Sequence, residues 1–114
     1  MIEKIGLFPN IIGIIFILTG LAMQVFPPKK INMLYGYRTP RSMKNIRNWN
    51  LAQQLSSKIL SLGGFGILLI GLLGMILNLN EFFINMTGII AMIAVVIFVF
   101  IKTESAIKKF EESL

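Results

Sequence analysis

The 114-residue chain is 55% hydrophobic and only 14% charged, with a mean hydropathy of +0.78, an apolar load that a single small domain is expected to place in lipid rather than bury from water. Its formal net charge is +6, but the cations flank long apolar runs, so the expected partners are the lipid bilayer and its anionic headgroups and not nucleic acid. The absence of Cys rules out disulfide and thiolate chemistry, and the absence of His removes the usual near-neutral proton carrier.

The elements expected, in chain order, are three transmembrane helices at residues 5–26, 57–80 and 82–101, joined by a basic loop at 27–56 and followed by a tail at 102–114. The fold class is therefore all-α integral membrane, and the chain forms one membrane domain. About 20 apolar residues at 1.5 Å each cross a hydrocarbon core of roughly 30 Å. Pro9 falls in the first turn of the first helix, where a missing N–H is tolerated, and Pro27 and Pro28 end that helix. The first run lacks a small-residue cleavage site, so it reads as a retained span and not a signal peptide. Lys29, Lys30, Arg38, Arg41, Lys44, Arg47 and Lys58 precede the second span, and Lys102, Lys108 and Lys109 follow the third. The opposite side carries only Lys4, since the second connection supplies Asn78, Asn80 and Glu81. This asymmetry predicts the N-terminus outside and the loop and C-terminus in the cytoplasm of a bacterial cell.

Small residues recur every seven positions: Gly6, Gly13 and Gly20; Ser57, Gly64 and Gly71, with Ser61 alongside; Thr87 and Ala94, with Ala91 between. That period predicts close approach in a left-handed bundle, and a thin bundle of this kind makes a homodimer a candidate assembly. A helical extension should precede the second span, with Ser42 as its N-cap after Pro40. Lys44, Arg47 and Lys58 would share one side of it with Leu51 and Leu55, and Trp49 would sit at the membrane interface. In the tail, Ile107, Phe110 and Leu114 share a face. Glu104 with Lys108 and Lys108 with Glu112 form i,i+4 pairs. The tail reads as a solvated continuation of the third span, or alternatively as a partner whose acids dock on the basic loop.

The densest signal lies at residues 30–45. Gly36 allows a turn between Tyr35 and Tyr37, Pro40 extends the chain at Thr39, and Arg38 and Arg41 offer planar forks to phosphate or carboxylate. The run Pro28, Lys30, Ile31-Asn32, Tyr35-Gly36-Tyr37-Arg38-Thr39, Arg41-Ser42, Lys44-Asn45, Trp49 and Ala52 strongly resembles the signature of the SdpI family. The member that gives this family its name protects Bacillus cells from a secreted killing peptide. It is longer, with extra spans before this unit, and the present chain resembles a short three-span form. The resemblance implies a membrane immunity protein that defends its own cell against an antimicrobial peptide or toxin. The candidate residues for ligand or partner binding are then Lys30, Asn32, Tyr35, Gly36, Tyr37, Arg38, Thr39, Arg41, Ser42, Lys44, Asn45 and Trp49. The alternative is a small signalling or scaffold protein whose basic loop holds an anionic lipid or a cytoplasmic partner.

Catalysis is not expected. The acids are Glu3, Glu81, Glu104, Glu111 and Glu112. None is in the loop, and their spacing suggests neither an acid–base site nor a metal centre, so no cofactor is implied. An ion-coupled transporter would place ionisable groups within the membrane, where this chain has only Gln24, Asn85 and Thr87.

Overall fold

The computed structural model describes residues 7–113. Three helices form it: α1 (Leu7–Val25), α2 (Ile46–Ile76) and α3 (Glu81–Ser113). Each contains a stretch long and apolar enough to cross a bilayer, so the all-helical, three-span architecture stands. Gly6 and Leu114, named above for a packing stripe and a tail face, lie outside the described residues, as do Glu3 and Lys4.

The helix ends follow from local chemistry. Pro27 has no N–H to continue α1, whose last backbone bond is Phe26 N–H to Ala22 O at 2.7 Å. At the far end of α2, Asn78 takes φ 55°. Its N–H donates to Met75 O at 3.1 Å and Leu79 N–H donates to Gly74 O at 3.0 Å. This is the left-handed closing turn that Asn tolerates better than most residues. Asn80 Oδ1 then accepts from Phe82 N–H at 2.7 Å and caps α3, so a short connection reverses the chain.

The small-residue stripes of α1 and α2 do meet. A Cβ on Gly13 would lie 2.8 Å from Gly64 O, one on Gly64 would lie 2.8 Å from Gly13 O, and one on Gly20 would lie 2.7 Å from Ser57 O. The two backbones are therefore as close as hydrogen-only side chains permit. Gln24 Nε2 adds a bond to Ser61 Oγ at 3.2 Å. Packing of α3 departs from the expected stripe. Ala94 is exposed, and the contacts are made by Ile84 against Gly74, Val95 against Gly63, and Gly88 against Pro9. Glycines on α2 act as notches for β-branched side chains of α3, so the useful pairing is small against large rather than small against small.

The molecule is 53 Å long, which exceeds a hydrocarbon core of roughly 30 Å. The excess lies where α2 begins and α3 ends. Residues 46–58 of α2 rise about 20 Å before the uncharged stretch starts. Lys102, over the Phe98 ring at 5.6 Å to its centroid, marks where α3 leaves its own. The loop 26–45 fills the space between these two extensions.

Candidate functional site, a loop clamped between two helix extensions

The loop is held by its own polar side chains. Asn32 Oδ1 accepts from the N–H groups of Leu34 (2.9 Å) and Tyr35 (2.7 Å), an Asx turn that sets up the Tyr-Gly-Tyr segment. Tyr35 reaches back, and its hydroxyl donates to Phe26 O at 2.8 Å, one of the carbonyls left open where α1 stops. Gly36 has φ +106°, and a Cβ there would lie 2.6 Å from Gln53 Oε1 and 2.9 Å from Pro28 Cγ. Both the conformation and the space require glycine.

Gln53 of α2 is 2% exposed and pairs with the backbone of Tyr37 as a strand would. Its Oε1 accepts from Tyr37 N–H at 2.6 Å, and its Nε2 donates to Tyr37 O at 2.8 Å. The Tyr37 side chain points the other way, to α3. Its hydroxyl donates to Glu104 Oε2 at 2.7 Å, and Thr39 Oγ1 donates to the same oxygen at 2.9 Å. Burial, followed by the hydrogen bond to Glu104 and its negative charge, raises the Tyr37 pKa above the ordinary phenol value. The phenol therefore stays protonated and remains a donor. Two turns along α3, Glu111 pairs with Lys44 Nζ at 3.2 Å and Arg41 Nε at 3.6 Å, and the Lys44 bond comes first among the causes that lower its pKa. These are the two ion pairs among the described residues. The docking of the tail's acids on the basic loop, the alternative raised from the sequence, is the arrangement found.

Three local expectations are corrected. Ser42 is not the N-cap of α2. Its hydroxyl accepts from Thr39 N–H at 2.8 Å and points toward the Tyr37 and Thr39 carbonyls. Asn45 caps instead, with extended φ −156° and Oδ1 accepting from Asn48 N–H at 2.8 Å. Because Ser42 closes the turn over Pro40, the helix starts later and Lys44 lies outside it. Trp49 is not an interfacial anchor. It is fully buried, and its indole N–H donates to Pro28 O at 2.6 Å, satisfying a carbonyl that the Pro-Pro stop leaves open. Glu104 faces Tyr37 and Thr39, so its role is the clamp rather than a surface pair with Lys108.

Of the residues singled out from the loop, Asn32, Tyr35, Tyr37, Thr39, Ser42, Asn45 and Trp49 are joined by these bonds, Gly36 by its fit against Gln53 and Pro28, and Arg41 and Lys44 by the Glu111 pairs. Lys30 and Arg38 are exposed, and among the described residues their side chains have no polar partner. Gln53 and Asn48 escaped the sequence reading. Asn48 Nδ2 donates to Arg41 O at 3.0 Å. A signal existed, because Trp49, Ala52, Gln53, Ser56 and Ser57 fall at the i, i+3, i+4 spacing of one helix face, and all five are buried. Under the loop lies a cavity of about 220 Å³, lined by Thr19, Met23, Tyr35, Gly36, Tyr37, Ser56, Leu60 and Val99. The Ser56 hydroxyl there has no hydrogen-bond partner.

The model of the SdpI/YfhL protein family matches residues 29–102, which contain the loop from Lys29 onward and its α2 partners, while Phe26, Pro28, Glu104 and Glu111 lie outside the match. The chain is also 38% identical over 96 residues to the uncharacterized protein YfhL of Bacillus subtilis (strain 168), covering 84% of this chain and 82% of that relative. No solved structure matches. With the signature loop, the three spans and these two matches in agreement, the chain belongs to the SdpI/YfhL family.

Proposed function

We propose that this protein is an immunity-type membrane protein that protects its own cell from a secreted peptide attacking the cytoplasmic membrane. The observation that carries the reading is the intact family signature at residues 28–52, folded here as one hydrogen-bonded unit. Protection is by binding and not by turnover, since both carboxylates beside the loop are engaged, Glu104 by two hydroxyl donors and Glu111 by Lys44 and Arg41. The loop and C-terminal tail face the cytoplasm and the N-terminus faces outward, as the lysine and arginine asymmetry favours. In this orientation an arriving peptide meets the lipid-facing helices first. The clamp fixes how those helices are held at their inner end.

The test is survival and membrane potential of a sensitive bacterium challenged with the killing peptide of the SdpI system. Cells without the protein should depolarise, and cells carrying it should hold their potential. Equal depolarisation with the protein correctly inserted would overturn the proposal.

A further inference from the structure

A second site adjoins the clamp, with Pro28 and Gln53 in its wall. Where α1 ends and α2 begins, a cleft of about 620 Å³ opens between Lys29, Lys58, Asn50, Gln54 and Gln24. No carboxylate lines it. Lys29, Lys58, Asn50 and Gln54 are all exposed, and among the described residues none of these four side chains has a partner. This sets the cleft apart from Arg41 and Lys44, which share the Glu111 carboxylate.

Its height in the molecule is defined by the sequence. Lys29 follows the first uncharged run, Lys58 precedes the second, and Lys102 follows the third. Three cations at the ends of three spans mark the level of the lipid phosphates. Val25 and Phe26, next in sequence to the lining residues Gln24 and Pro27, are 66% and 74% exposed and offer an apolar surface to acyl chains. Two ammonium groups and two free amides form a donor set for the acceptor oxygens of one phosphodiester.

We infer that this cleft binds the phosphodiester headgroup of an anionic membrane lipid, with Lys29 and Lys58 holding the phosphate and Asn50 and Gln54 donating to the headgroup. The site does not depend on the immunity reading, because it shares no ion pair with the clamp.

The experiment is native mass spectrometry of the protein released from vesicles of phosphatidylcholine with and without phosphatidylglycerol. Wild type should retain phosphatidylglycerol in preference to phosphatidylcholine. The Lys29→Gln/Lys58→Gln double variant should retain it roughly 25-fold more weakly, about fivefold for each lysine removed beside an anionic surface. Lys108→Gln/Lys109→Gln removes the same charge from the exposed tail and should keep the preference. Equal retention by Lys29→Gln/Lys58→Gln and wild type would overturn the inference, as would equal loss in both double variants, since net charge alone would then explain it. Displacement of the lipid by inorganic phosphate at millimolar concentration would overturn the lipid source and leave a free-phosphate site.

Discussion

Tyr37→Phe isolates the clamp because it removes one oxygen and little else. In the native protein that hydroxyl donates to Glu104 Oε2 at 2.7 Å, and the same oxygen accepts from Thr39 Oγ1 at 2.9 Å. A hydrogen bond to a charged group contributes about 1.5–3 kcal/mol, so the variant should lose stability in that range. Thr39 continues to hold Glu104, which favours the lower half. Tyr35→Phe is the internal control. Its hydroxyl bonds a neutral carbonyl at 2.8 Å, for which about 0.5–1.5 kcal/mol is expected. The assay is reversible unfolding in mixed micelles followed by emission of Trp49, the sole tryptophan. A double-mutant cycle with Glu104→Gln should return a coupling of about 1 kcal/mol or more. The pH dependence has a definite sign. The phenol's pKa is raised by folding, so above about pH 10 the unfolded chain releases a proton that the folded one keeps. The clamp's contribution is present below that pH and declines above it, and Tyr37→Phe should flatten the alkaline fall. A Tyr37→Phe loss under about 0.5 kcal/mol with zero coupling would refute the clamp.

Two other outcomes test the packing. Gly64→Ala places a Cβ 2.6 Å from Phe16 Cβ and 2.8 Å from Gly13 O, whereas Gly66→Ala meets nothing within 4 Å. In the same unfolding assay the first should lose about 1–3 kcal/mol through overpacking, and the second should be neutral or gain up to about 1 kcal/mol from helix propensity. Trp49 is buried by protein and not seated among headgroups, so its emission should be blue-shifted and resist quenching by brominated lipids. Strong quenching would return it to the interface.

The three spans were legible because each is an apolar run with a charged or proline boundary, and membrane helices need little more than that. The α1–α2 contact was legible for a related reason. Only glycine and serine at a fixed period let two backbones touch, and Gly13, Gly20, Ser57 and Gly64 do so. The face of α3 was not legible, because Thr87, Ala91 and Ala94 look equally suitable until the notches at Gly63 and Gly74 select Val95 and Ile84. The N-cap failed for a different reason. Ser42 and Asn45 are both good caps, and the choice rests on Ser42 already closing the turn with Thr39. Trp49 and Gln53 were obscured by tertiary contacts that serve open backbone groups of a distant segment, Pro28 O and Tyr37 N–H, and such demands do not show in local composition.

The clamp also separates what folding explains in the signature from what it leaves over. Tyr35 serves the end of α1, Gly36 fits against Gln53, Tyr37 reaches Glu104, and Thr39 serves both Glu104 and Ser42. Arg38 stands between them, exposed and outside every one of these bonds. An exposed cation with no partner contributes little to stability, so Arg38→Ala should unfold within about 0.5 kcal/mol of wild type. Its backbone is nonetheless held by clamped neighbours on both sides, which limits where the guanidinium can reach and lowers the ordering cost of binding. If the loop acts through its surface, Arg38→Ala should lose protection against the killing peptide at wild-type membrane levels while retaining the fold. Tyr37→Phe should lose both together. Full protection by Arg38→Ala would mean that the loop serves the fold alone, and that the peptide is met by the lipid-facing helices whose inner ends the clamp holds.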